Sequence, residues 1–259
     1  MSDLLLILRY PLAIFALTFL GLGLSAWLGA TRFQRLRAQA AEDHEDFNVI
    51  ETATLTLLGL IVGFTFSMAL TRYDQRKNLE EEEANAIGTE YVRADFLPAA
   101  DAAKVRALLL SYLDQRMLFY TTRDQEELNQ IDERTAKLQA ELWSAVRAPA
   151  AAQPTPVMAV VVTGMNDVLN SQGYAQAAWR NRIPGAAWSL MGAIAVCAAM
   201  LVGIGARSAT AKSRALRMVL PLVVSIAFFL IADIDSPRRG MIRVVPQNLL
   251  SLSQSLHGQ

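Results

Sequence analysis

The second long apolar stretch of this 259-residue chain carries its small and polar residues at Thr52, Thr56, Gly59, Gly63, Ser67 and Thr71. Steps of four and three place them on one stripe of a helix. Two chemistries suit such a stripe. Gly59-Leu60-Ile61-Val62-Gly63 is a GxxxG sequence, and small residues let apolar helices approach backbone to backbone. Alternatively, copies of the helix in an oligomer line an aqueous path, with Thr56, Gly63 and Ser67 offering hydroxyls and bare backbone to water and Leu60 or Phe64 forming an apolar constriction. GxxxG is common in apolar segments, so packing is the default from the stripe alone. Gly21, Ser25 and Gly29 repeat the small spacing in the first apolar stretch, as do Gly185, Ser189, Ala193 and Cys197 in the third.

Other chemistry-bearing residues are sparse. Glu80, Glu81, Glu82 and Glu83 form an acidic run about two turns beyond the second stretch. They could attract cations as rings around an oligomer axis, or be one solvated helix face. Asp233 and Asp235 close the fourth apolar stretch, where Asp233 could cap or pair with Arg238 or Arg239. They are too few for a calcium site of six to eight oxygens. Asn166, Asp167 and Asn170 share a helix without further ligands and read as polar surface. One cysteine, Cys197, gives no intramolecular disulfide, and two distant histidines, His44 and His257, give no zinc centre. No GxSxG, Walker, HExxH or dinucleotide motif occurs, and no acid, base and nucleophile set assembles. The sequence therefore predicts neither an enzyme nor a cofactor or metal site.

The elements carrying these residues follow from hydropathy. Hydrophobic residues make up 53% of the chain and charged residues 19%, against about 25% charged in an ordinary soluble domain. Uncharged runs extend over Pro11–Ala30, Thr52–Thr71 and Ile183–Ala206, each long enough for the about 20 residues that cross a bilayer. A fourth, Met218–Ala232, is shorter and is extended by snorkelling of Arg217. The first run exceeds a signal-peptide core and lacks a good cleavage site, so it reads as a retained anchor. The prediction is an all-α integral membrane bundle of four transmembrane helices in two pairs, with a helical extramembrane insert between spans two and three. The pairs occupy 1–72, with spans 11–30 and 52–71, and 183–234, with spans 183–206 and 217–233. The insert is 73–182, and 235–259 is a tail.

Within the insert, the second span is expected to continue as one helix to Phe96. A second helix after Pro98 carries Val105, Leu108, Leu109, Tyr112, Leu113, Arg116, Met117 and Tyr120 as a stripe. A third, Asp124–Arg147, carries Leu128, Ile131, Leu138, Leu142 and Val146. The Pro/Ala-rich segment 148–156 reads as a linker before a helix over Val157–Asn181.

The residues also resemble a family. Leu58-Gly59-Leu60-Ile61-Val62-Gly63-Phe64, Thr71-Arg72-Tyr73, Glu83-Ala84-Asn85-Ala86-Ile87 and Tyr91-Val92-Arg93-Ala94 are similar to the bacterial bestrophin-like domain proteins. So are Asp235-Ser236-Pro237, Gly240-Met241-Ile242-Arg243-Val244 and Pro246 after the last span. The resemblance implies a four-span membrane protein. More distantly, the second span resembles the bestrophins, pentameric anion channels in which this helix lines a narrow neck. That resemblance implies inward rings near Thr56, Leu60 and Phe64, with Thr56 departing from the bulky apolar type expected.

The 24 basic and 24 acidic residues balance, which argues against a nucleic-acid partner. The insert holds 12 basic and 16 acidic residues and the rest 12 and 8. Arg32, Arg35, Arg37, Arg207, Lys212, Arg214 and Arg217 lie in the short connections. Arg9, Arg72, Arg76, Lys77, Arg180, Arg182, Arg238, Arg239 and Arg243 lie on the other side. This near-even tally leaves sidedness open, and the bestrophin analogy puts the insert in the cytoplasm. The expected setting is the inner membrane, with lipid, inorganic ions and further copies of the chain as partners, five protomers on the analogy. Two functions remain: a homo-oligomeric ion channel with the second span lining the pore, and a non-conducting membrane protein whose insert binds or senses a partner through its two stripes.

Overall fold

The computed structural model describes residues 10–33, 44–206 and 215–258. Arg9, Arg35, Arg37, Arg207, Lys212 and Arg214, counted above for sidedness, lie outside them. The described elements are helices: α1 Pro11–Thr31, α2 His44–Arg93, a 3-10 turn Ala94–Phe96, α3 Ala99–Thr121, α4 Gln125–Ala152, α5 Pro156–Arg180, α6 Gly185–Gly205, α7 Val219–Asp235 and α8 Gln247–His257. Among the described residues, four helical segments are long and apolar enough to cross a membrane. The chain divides into two units, one of 1–72 and 182–242, the other of 73–181 and 243–259.

Local chemistry sets the helix ends. Pro11 and Pro156 open α1 and α5, where the missing N–H costs nothing. The Asp124 side chain accepts from the amides of Glu126 and Glu127 at 3.0 Å and starts α4. α2 is described from His44, upstream of the apolar run from Thr52, with Glu45 and Asp46 ahead of that run. Its 50 residues correspond to about 75 Å.

One expectation needs correction. The segment 148–156 is a linker only at its end, since α4 continues to Ala152. Ala148 and Ala150 to Ala152 are the strongest helix formers, and they carry the helix past the buried Pro149. Only Gln153 to Thr155 separate α4 from α5.

In the first unit α1 packs against α6 and α7. Its contact with α6 is backbone on backbone. A Cβ on Gly29 would lie 2.3 Å from the Met200 carbonyl oxygen, and one on Gly203 would lie 2.2 Å from that of Ala26. Just ahead of these contacts in both helices, the Ser25 hydroxyl donates to the Val196 carbonyl at 2.8 Å. Small residues in membrane helices permit this approach. Gly203→Val should force the pair apart and destabilise the unit by about 1–3 kcal/mol, the usual cost of overpacking. Thermal unfolding in detergent would measure it, with Gly192→Val, at a site with no neighbour within 4 Å, as the control.

The second unit is built on α3, α4 and α5. Val105, Leu109, Tyr112, Leu113, Phe119 and Tyr120 of α3 meet Leu128, Ile131, Leu142 and Val146 of α4 and Val161, Met165 and Val168 of α5 in one core. The two amphipathic stripes therefore face each other. Residues 243–258, expected to be a tail, belong to this body: Leu249 and Leu256 of α8 join its core.

Candidate functional site

α2 carries the candidate pore residues. In its apolar part Leu58, Thr65 and Ala69 are buried. At about 100° per residue they form one stripe. Thr56, Leu60, Gly63, Phe64 and Ser67 occupy the opposite side, and all five are exposed in the protomer, Phe64 to 65%. The window of this span is 17% buried, against 28–33% for the other three. The hydroxyl of Thr56 donates to the Thr52 carbonyl and that of Thr71 to the Ser67 carbonyl, at 2.8 and 3.0 Å. These two threonines thus satisfy their own hydroxyl donors, leaving their oxygen lone pairs and apolar side chains on the open face.

The small-residue candidates divide. Ser25 and Gly29 sit in the α1–α6 contact described above, whereas a Cβ on Gly21, Gly59 or Gly63 would meet nothing within 4 Å. The GxxxG face of α2 is therefore open in a single chain.

After the last span, Asp233 accepts from the amides of Met241 and Ile242 at 2.7 and 2.8 Å, and Asp235 from that of Ile183 at 3.1 Å. Arg72 lies 3.7 Å from Asp235. Asp233 fastens the turn that follows α7, while Asp235 ties the end of α7 to the chain entering α6 and to Arg72 of α2. Asp233 caps main-chain amides, and Arg239 lies over the Tyr10 ring with its guanidinium 4.7 Å from the centroid.

In the second unit the acidic run splits. Glu81 and Glu82 are exposed, while Glu80 and Glu83 are buried. Glu80 accepts from the amide of Leu249 at 2.9 Å and from the Asn248 side chain at 2.7 Å, capping the start of α8. Arg76, four residues earlier, donates to the carbonyls of Ala178 and Asn181 at 3.1 Å, at the end of α5. An anion at a helix start and a cation at a helix end both match the helix dipole.

Glu83 receives both the Nε and, at 3.3 Å, the Nη2 of Arg116, and the Tyr120 hydroxyl donates to it at 3.0 Å. Glu83 and Arg116 are fully buried. The Arg116 guanidinium also lies 4.4 Å from the Phe119 ring centroid, in a group where Phe119, Tyr120 and Trp179 meet edge to face. Burial disfavours the Arg116 charge, but the Glu83 carboxylate together with Tyr112 and Tyr120 holds the guanidinium above its ordinary value. Burial, then the Glu83 charge, push the Tyr120 hydroxyl well above the usual phenol range.

Glu90 completes the buried stripe Arg76, Glu80, Glu83, Ile87 and Glu90. Its carboxyl lies over Gly164 of α5, where a Cβ would be 2.1 Å from Oε2, and neither of its oxygens has a hydrogen-bond partner. Burial, helped by Asp167 and opposed by Arg93, pushes its pKa from 4.5 to about 8. Between these two values the folded state binds a proton that the unfolded chain has lost, so stability falls as pH rises. The contribution is complete below about 4.5 and lost through about 8. Unfolding of the full protein in detergent between those limits should show this decline, and Glu90→Gln should flatten it.

Comparison with known proteins places this geometry. The family model of the bestrophin-like domain matches residues 16–249. Crystal structures of two single-residue variants of a bacterial bestrophin homologue from Klebsiella pneumoniae superpose with TM-scores of 0.66 at 12% identity, covering 94–95% of this chain and 98–99% of theirs. Another crystal structure of a bestrophin homologue from that organism gives 0.62 at 13% identity over 92% and 98%. At such identity the likeness is one of fold. No curated protein matches the chain. With a match over nearly its whole length and the same helical fold, the chain belongs to the bestrophin-like domain family.

Proposed function

We infer that the protein is a homo-oligomeric ion channel of the bacterial inner membrane in which copies of α2 surround the pore. The exposed face of α2 carries the reading: Thr56, Leu60, Gly63, Phe64 and Ser67 lie opposite its buried stripe, on the span least covered within the protomer. An apolar helix face with hydroxyls and bare backbone at helical spacing suits a water path with a narrow apolar constriction. Gly21, Gly59 and Gly63, open in one chain, leave room for a neighbouring copy to approach. The family's likeness to bestrophins favours five protomers and a cytoplasmic insert. Glu81 and Glu82, exposed on α2, are the members of the acidic run free to act on permeating ions, while Glu80 and Glu83 hold the insert together.

Purified protein in planar bilayers should carry current, and its mass in detergent should be near five protomers. Silence across a wide voltage range would sink the channel reading. A cysteine at the exposed Ser111, in a Cys197→Ala background, should stay unlabelled by an impermeant thiol reagent in intact cells with a permeabilised outer envelope. The rival function, partner binding through the α3 and α4 stripes, loses its surface because those stripes form the insert's own core.

A further inference from the structure

A cavity of about 330 Å³ opens on the second unit between the end of α2 and the start of α5, lined by Arg93, Ala159, Val160, Thr163 and Asp167. Its wall carries opposite charges that do not neutralise each other, since no ion pair joins Arg93 to Asp167. Behind the wall stands Glu90, fully buried and without a hydrogen-bond partner for either oxygen. Its Oε2 and the Arg93 Nη1 both crowd the same point above Gly164, 2.1 and 2.3 Å from where a Cβ would lie. Glycine there lets the carboxyl and the guanidinium share one side of α5. A buried carboxyl left unbonded carries a desolvation cost that a cationic group in the cavity would relieve.

We propose that this cavity binds a small zwitterion of the α-amino acid type, its carboxylate held by Arg93 and its ammonium by Asp167, with the Glu90 carboxyl behind the wall as a second, non-contacting attractive charge. A planar guanidinium takes a carboxylate through two parallel hydrogen bonds. The ammonium, with three donors, matches the Asp167 carboxylate and the Thr163 hydroxyl. Ala159 and Val160 supply an apolar patch for a short aliphatic side chain. The volume lies at the lower end of the about 300–1,000 Å³ of small-molecule sites, which points to a compact ligand. The cavity lies within the insert unit, so the site stands whether or not α2 conducts.

The ligand's ammonium favours the ionised form of Glu90, which burial otherwise keeps protonated near neutral pH. Binding therefore releases a proton, and affinity rises with pH through about 8. The charged groups facing Glu90 are Arg93 on α2 and Asp167 on α5.

Isothermal titration of the full-length protein in lipid nanodiscs tests this, with L-alanine as probe and acetate and methylammonium as single-charge controls. At pH 8.5 L-alanine should bind with a Kd at or below about 1 mM and neither control should. Arg93→Gln and Asp167→Asn should each weaken binding about tenfold or more, the loss of one charge-assisted contact. Thr163→Val, on the exposed rim, should weaken it less. Affinity should drop severalfold at pH 6.5, and Glu90→Gln should remove that dependence. Absence of heat up to about 10 mM L-alanine, tenfold above that limit, would overturn the proposal. So would equal binding of acetate, or affinities unmoved by both charge variants while circular dichroism shows them folded.

Discussion

Arg116→Met should lower the unfolding temperature of the insert by about 10 °C, the largest stability loss expected from any single change in this protein. The substitution leaves the Glu83 carboxylate fully buried, with only the Tyr120 hydroxyl to meet it. Breaking a buried pair from one side costs about 3–5 kcal/mol, because the remaining charge has neither water nor partner. Glu83→Gln in the same chain should restore much of the loss, since it removes the stranded charge and keeps an acceptor for Tyr120. Trp179, edge to face with Tyr120 and Phe119, provides a local fluorescence signal for the melt. A double variant no more stable than Arg116→Met alone would show that packing of the long Arg116 side chain, and not its charge, is what matters.

Phe64→Ala should raise single-channel conductance severalfold in reconstituted bilayers. In the proposed oligomer Phe64 is the bulkiest side chain on the open face of α2, and each copy contributes one ring to the same level of the path. Removing every ring at once widens an apolar constriction and lowers the cost of keeping it wet. Leu60→Ala, one turn away on the same face, should act in the same direction with a smaller effect. Leu58→Ala, on the buried side, is the discriminating control: it should reduce stability and leave conductance per channel unchanged. Equal conductance for wild type and Phe64→Ala would remove this helix face from the pore.

The spans were legible because about 20 uncharged residues in sequence have few other uses. The stripes of α3 and α4 were legible as apolar periodicity, although whether they faced each other or a partner was not. The buried stripe of the insert was missed because it is written in charged letters. Arg76, Glu80, Glu83, Ile87 and Glu90 follow steps of four, three, four and three, the same rhythm that marked the apolar stripes. Glutamate and arginine are rarely buried, so the run Glu80 to Glu83 read as one solvated face. Its partners, the ends of α5 and α8 and Arg116 of α3, are distant in sequence, and nothing local announces them. Asp167 read as polar surface and is exposed; what its neighbours in sequence do not announce is that it shares a cavity wall with Arg93 of α2. The linker over 148–156 was overdrawn because three prolines were weighed together, while the alanines between them continue the helix.

The Glu80 cap on α8 also bears on how the protein is made. The amide of Leu249 and the Asn248 side chain that satisfy Glu80 are separated from it by 169 and 168 positions, so they leave the ribosome long after it does. Until then, the Glu80 carboxylate lacks both of these partners. A chain in which α8 has not yet been made therefore leaves the Glu80 site open, and closing it is a late step in folding the insert.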